Sequence, residues 1–210
     1  MTAITHHIPD ELLRAFATGN LPFPFAVITA AHLSLCDACR AAAEAEEMVG
    51  GALLEREAGA ALAPGLRERL MAALDGPPPP SPPAASGIFP AAVMQALDGH
   101  PPRWRNLGGG IRQQVLAADA AGSLRLLHIH PGRAVPEHGH RGLEMTLVLQ
   151  GSFSDSAGRF ARGDVECAHA AIEHQPVADP GPPCICLAAT DAPLRFRALI
   201  PRLLQPLFRI

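Results

Sequence analysis

Over the first third of the chain apolar residues recur at helical spacing, and over the rest they gather in short runs broken by Gly, Pro and Asp. Pro9-Asp10-Glu11 suits the free N–H groups of a helix start, Leu12, Leu13 and Phe16 fall on one face, and Gly19-Asn20 is a stop. The spacing predicts a second helix from about Phe25 to Leu35 and a third from Asp37 through an Ala/Glu-rich run to Met48, ahead of Gly50-Gly51. A fourth follows from Pro64 to Leu74, ahead of Gly76. Together they make a small four-helix bundle, near the size at which an apolar core alone is marginal and a metal staple helps.

Later the runs shorten. Leu124 to Ile129, Met145 to Leu149, Cys184 to Ala188 and Leu194 to Phe196 read as strands between turn-rich segments, which predicts an antiparallel all-β domain, sandwich or barrel. Between the two textures lie six prolines in the seven residues Pro77 to Pro83, then Ala-Ala-Ser-Gly87. Proline fixes its own φ and donates no hydrogen bond, so this stretch is a semi-stiff spacer. The expected division is a helical domain over 1–76, a linker over 77–87 and a β domain over 88–210.

Composition directs attention to metals. The 210 residues hold eight Phe, one Trp and no Tyr, but ten His and five Cys. No basic, then apolar leader opens the chain and no run of about eighteen apolar residues follows, so the expected location is the cytoplasm, with no membrane partner. In a reducing compartment thiols serve as ligands or buried small residues rather than disulfide partners. Residues 1–76 carry five arginines against ten acidic residues, and residues 77–210 carry twelve against ten. The acidic front end argues against direct nucleic-acid contact and favours a basic protein partner.

His32, Cys36 and Cys39 form an HxxxCxxC string. On a helix these spacings bring all three to one side, and imidazole with thiolate is the donor set zinc prefers. A closed tetrahedral site needs a fourth ligand. The His6-His7 pair supplies it, with His7 favoured because it sits nearer the first helix and His6 as the alternative. The competing view is that Cys36 and Cys39 are packing residues or a redox pair, but a redox CxxC normally sits in a βαβ context, which is missing here.

The second constellation lies in GRAVPEHGHRGLEMTLVLQG: Gly132, five residues, His138, one, His140, three, Glu144, six, Gly151. This resembles the first cupin motif at each fixed position. On a strand His138 and His140 share a face and enter a barrel, with Glu144 joining from the next strand beyond Arg141-Gly142. Gly163 and His174, ten residues between them, resemble the second motif and supply a fourth ligand, although His169, Ala171 and Ala178 stand where the motif has Pro, Gly and Asn. Three His and one Glu suit Zn, Mn, Fe or Ni. Cys184 and Cys186 share a strand face and read as packing, with redox chemistry the lesser alternative.

A helical domain with an upstream His and HxxxCxxC, joined to a cupin, resembles the ChrR family along the whole chain, including PDELLRAFATGNLP, AAHLSLCDACR, GHRGLEMTLVLQGSF and CICLAATDAPLRF to PLFRI. The resemblance implies an α plus all-β regulator and no enzyme: residues 1–76, with zinc on His7, His32, Cys36 and Cys39, bind and inhibit a group IV extracytoplasmic-function sigma factor. It further implies a cupin with metal on His138, His140, Glu144 and His174 that senses singlet oxygen or organic hydroperoxide and ends inhibition. The competing expectations are a cupin dioxygenase or isomerase with an accessory helical domain, and a DNA-binding regulator.

Overall fold

The computed structural model describes residues 3–139, 141–169, 173–192 and 195–196. Helices α1 (Asp10–Ala17), α2 (Phe23–Leu33), α3 (Asp37–Leu54) and α4 (Leu66–Leu74) form before the proline stretch, and α5 (Ala91–Ala96) after it. Pro9 and Pro22 stand at the N-caps of α1 and α2, and Gly19 takes the left-handed φ of 71° that ends the first turn-out. The third helix departs from expectation by running through Gly50-Gly51 to Leu54. Two glycines weaken a helix interior by roughly 1 kcal/mol each, so this tail is an intrinsically soft segment. It also exposes Met48, Val49, Leu53 and Leu54. Helix α4 buries no residue, so the expected packed bundle of four is not formed: α1, α2 and α3 contact one another and α4 projects.

Residues 77–85 adopt neither helix nor strand, and beyond α5 the described strands pair antiparallel. The strands are β1 (Arg105–Gly108), β2 (Ile111–Asp119), β3 (Gly122–Ile129), β4 (His138–Gly139), β5 (Glu144–Gln150), β6 (Ser152–Ser154), β7 (Arg159–Ala161), β8 (Val165–Ala168), β9 (Glu173–His174), β10 (Val177–Ala178), β11 (Cys184–Thr190) and β12 (Arg195–Phe196). They form a six-stranded sheet of order β1-β2-β3-β11-β5-β8 and two three-stranded sheets, β10-β6-β7 and β12-β4-β9. The sheets face one another as a cupin-like sandwich and do not close into the expected barrel. The small sheets are built from strands of two or three residues, too short to continue the six-stranded ladder around a full turn.

The large sheet is buried on both faces at its central strands β5 and β11. Along β5 every residue from Glu144 to Leu149 is buried, and along β11 every residue from Cys184 to Ala189. Alternation sorts them. Leu124, Leu126, Met145, Leu147, Leu149, Leu187 and Ala189 pack in one core with Phe25, Ile28 and Ala31 of α2. Ile129, Val148, Cys184 and Cys186 point the other way, into a second core with Phe153, Phe160 and Ala178. Helix α2 is therefore the lid of the sheet. Its apolar residues extend around the helix because it is sandwiched between the sheet, α1, α3 and α5.

This shared core predicts that helices and sheet unfold together. Ile28→Ala, at a position with no exposed surface, should lower unfolding stability by about 2–5 kcal/mol. In urea, the far-ultraviolet circular dichroism and the fluorescence of Trp104, which packs against the same core, should fall at one midpoint. Two separate midpoints would show that the helices are not held by the sheet.

Candidate metal centres

The start of α3 sets the first group. Cys36 is the N-cap residue and Cys39 lies in the first turn, so both sulfurs sit where the unpaired backbone N–H groups favour negative charge. His32 is one turn earlier on α2, with no exposed surface. The bend between the two helices brings its ring over the Cys pair. His7 enters from the arm before α1, placing Nδ1 3.3 Å from Cys36 Sγ and 3.5 Å from Cys39 Sγ. The donor atoms of all four residues lie within 4.8 Å of one another. Donors around a tetrahedral ion with bonds of about 2.0–2.3 Å are separated by about 3.3–3.8 Å. His6 points elsewhere, with its ring 4.3 Å from that of Phe160 and its Nδ1 3.6 Å from Asp164.

The protonation states fit a metal ion. His32 Nδ1 lies 2.8 Å from the Gly163 carbonyl oxygen. A carbonyl can only accept, so Nδ1 carries the proton and Nε2 presents its lone pair. That Nε2 is buried and has no hydrogen-bond partner among the described residues. Burial also lowers the His32 pKa and keeps the ring neutral, while burial pushes the Cys39 thiol up to about 11. A buried thiolate is disfavoured without a cation, and an orphaned imidazole nitrogen beside two thiols is a costly arrangement unless an ion binds it.

The second group lies between the large sheet and β4-β9. His138 and His174 are direct partners across that pair, and Glu144 opens β5. His138 Nδ1 donates to Pro136 O at 2.8 Å. His174 Nδ1 donates to Asp155 Oδ2 at 2.7 Å and Glu166 Oε1 at 3.0 Å. Both Nε2 atoms therefore face inward, 3.2 Å apart, with Glu144 Oε2 3.9 Å from His138 Nε2. Burial opposes a charge on His174, but the hydrogen bond and charge of Glu166, with Asp155, carry its pKa up to about 9. The two Nε2 atoms and a Glu144 carboxylate oxygen are the donors that would hold a metal ion here. His140 lies outside the described residues. A cavity of about 60 Å³ adjoins the group, lined by Arg125, Leu127, Val135, His138, Glu144 and Cys186 among others.

Asp155 and Glu166 were absent from the sequence reading, though they hold His174. Asp155 sits in the SDSAG segment, which reads as a turn. Glu166 left a fainter signal: an acid between apolar Val165 and Cys167 on one strand, at an inward position opposite Thr146. Cys184 and Cys186 have sulfurs 3.4 Å apart and both are free thiols.

Comparison with known proteins places this geometry in context. The ChrR cupin-like domain family matches residues 94–192. Over 213 aligned residues the chain is 50% identical to the anti-sigma-E factor ChrR of Cereibacter sphaeroides, with 99% of each covered. Among solved structures, that of Rhodobacter sphaeroides SigE in complex with the anti-sigma ChrR is similar at 48% identity and a TM-score of 0.80, covering 90% of this chain and 100% of that one.

The geometry around the first group predicts that His7→Ala lowers metal retention by at least about tenfold, the scale reached already when an outer-shell partner of a ligand is lost, whereas His6→Ala leaves it near wild type. Metal content after passage through a chelator column checks this, and equal loss in both variants would remove His7 from the group.

Proposed function

The chain belongs to the ChrR family of anti-sigma factors, and on that premise we propose how its two metal centres divide the work. It is a regulatory protein and not an enzyme, and its partner is a sigma factor of the extracytoplasmic-function class. Half-identity over the whole chain, the helical end included, is the observation that carries this reading.

In this reading residues 1–76 are the sigma-binding unit, 77–87 the linker and 88–210 the sensor. The docking surface is the soft end of α3 with α4. Leu54 and Leu74 are 74% and 76% exposed, and Leu62, Leu70 and Met71 are exposed as well. Large apolar side chains left exposed in such number on two neighbouring segments of a regulator suit a partner-binding surface. The acidic balance of the first 76 residues suits a basic partner. Zinc is the ion for His7, His32, Cys36 and Cys39, because two thiolates and two imidazoles are its donor set. Bound there it ties the arm before α1, the end of α2 and the start of α3 into one arrangement.

The cupin group, His138, His140, Glu144 and His174, takes Zn, Mn, Fe or Ni and senses singlet oxygen or organic hydroperoxide. Its support is the convergence of His138 Nε2, His174 Nε2 and the Glu144 carboxylate beside one small buried cavity. When bound, the metal supplies a Lewis-acidic centre at the cavity wall. His138 and His174 hold their lone pairs toward it through their Nδ1 bonds, and Asp155 and Glu166 fix the His174 ring. No helix among the described residues is long and apolar enough to cross a membrane. The thiol ligands suit the reducing cytoplasm.

Two outcomes test this. Co-expressed with extracytoplasmic-function sigma factors of the same genome, the full chain should elute as a stoichiometric complex, and Leu70→Glu with Leu74→Glu should weaken it by at least about thirtyfold, since buried apolar anchors of an interface are worth roughly 2 kcal/mol or more. Unchanged affinity would move the docking surface off α4. Second, His138→Ala with Glu144→Ala should leave inhibition of sigma-dependent transcription intact and abolish its relief by hydroperoxide. Normal relief in that variant would take the cupin metal out of sensing.

A further inference from the structure

The arm before α1 has no regular structure, yet it is bolted to one turn of the β domain. The backbone N–H groups of Thr5 and His6 both donate to Asp164 Oδ1, at 2.7 and 3.0 Å. The Val165 N–H donates to His6 O at 3.2 Å. Asp164 is 2% exposed, and its Oδ2 accepts from Ala161 N–H at 2.8 Å, so the carboxylate is fully engaged on both sides. Gly163, with φ at 94°, lets the arm come this close: a Cβ there would stand 2.6 Å from Ile4 Cδ1. The Gly163 carbonyl accepts the His32 Nδ1 proton. Three consecutive residues thus place both histidines of the first group, His7 through its neighbour and His32 directly.

The same strand reaches the second group. Val165 faces the helix-side core and the next residue, Glu166, faces the cavity and holds His174. The two contacts are separated by a single peptide unit of β8. The turn is also tied to β5, whose first residue is Glu144: Gly163 N–H donates to Val148 O at 2.9 Å and Val148 N–H to Asp164 O at 3.1 Å.

We propose that Asp164 is a positioning residue that latches the arm carrying His7, and that the start of β8 couples the two metal centres. When His174 leaves its place, Glu166 loses its partner, the Val165–Glu166 peptide shifts, and the grip of Gly163 and Asp164 on the first group loosens. This rests on the division of labour proposed above, and it gives the sensor a physical route to the sigma-binding helices. It is coupling in the strict sense, so an event at either group must alter the other.

The test uses the full chain with Co(II) in the first group, because thiolate-to-cobalt absorption reports Cys36 and Cys39 and is silent about the His/Glu group. Loss of that band to excess chelator should be about tenfold faster in Asp164→Ala, which removes two bonds to a charged acceptor. It should be several-fold faster in Glu166→Gln, which touches His174 but not the arm. In the double variant Glu166→Gln should add nothing further. A wild-type rate in Glu166→Gln, or effects that multiply independently in the double variant, would overturn the coupling. Should Asp164→Ala not fold, hydrogen exchange decides: in His174→Ala the amides of Thr5 and His6 should exchange faster while α2 stays protected, and unchanged exchange overturns the proposal. No sigma factor enters either readout, so the failure of peroxide sensing and the failure of this link are separate results.

Discussion

A sheet with apolar side chains on both faces has to be covered twice, and most of this structure follows from that requirement. The inner face of β3, β5, β8 and β11 is covered by the two small sheets, one of which carries both His138 and His174. The outer face is covered by α2, whose residues Phe25, Ile28 and Ala31 are almost wholly buried. Removing either cover would expose a contiguous apolar area far beyond what a lone soluble domain presents. The helix that ends in a zinc-ligand candidate, His32, is for this reason also the helix that completes the β domain. A regulator built this way cannot move its helices freely of its β domain.

The inner face has a second demand. Arg125, Glu144, Glu166, His138 and His174 are all buried in or beside one small cavity. Charged groups are expensive to bury unless they pair or bind an ion. The sheet's geometry gathers them because β-strand alternation sends every second residue inward: Arg125 with Leu127, Glu144 with Thr146 and Val148, Glu166 with Ala168. Glu166 shows the cost directly, since burial pushes its carboxyl up to about 7. Asp155 and Glu166 decide which way the His174 ring faces.

Much of this was legible in the residues. Helical spacing located α1 to α4 approximately, and the spacing of His32, Cys36 and Cys39 marked the group, although the three do not share one helix: His32 ends α2 and the Cys pair starts α3. Gly132 to Gly151 was readable because alternation and a turn fix the direction of each ligand. What was not legible is contact over distance. Six prolines between helices and strands read as separation, and nothing local to α2 announces that its partner is a sheet about a hundred residues later. The uninterrupted runs Met145–Leu149 and Cys184–Ala188 did contain that information, since a strand apolar on both faces needs two covers. The open sandwich was hidden for a related reason: strands of two residues leave no hydrophobic pattern to count.

The choice between His6 and His7 shows how the same long-range contact settles a local question. Successive residues of an extended arm point to opposite sides. Once the Asp164 carboxylate takes the N–H groups of Thr5 and His6, and Phe160 takes the His6 ring, the next side chain is directed toward α3. His7 meets Cys36 and Cys39 because a residue more than 150 positions away fixes the arm's register. Nearness to α1 favours His7 only weakly; the decisive constraint is an aspartate on the far side of the linker. The first candidate metal centre is therefore a property of the whole chain and not of its helical segment alone.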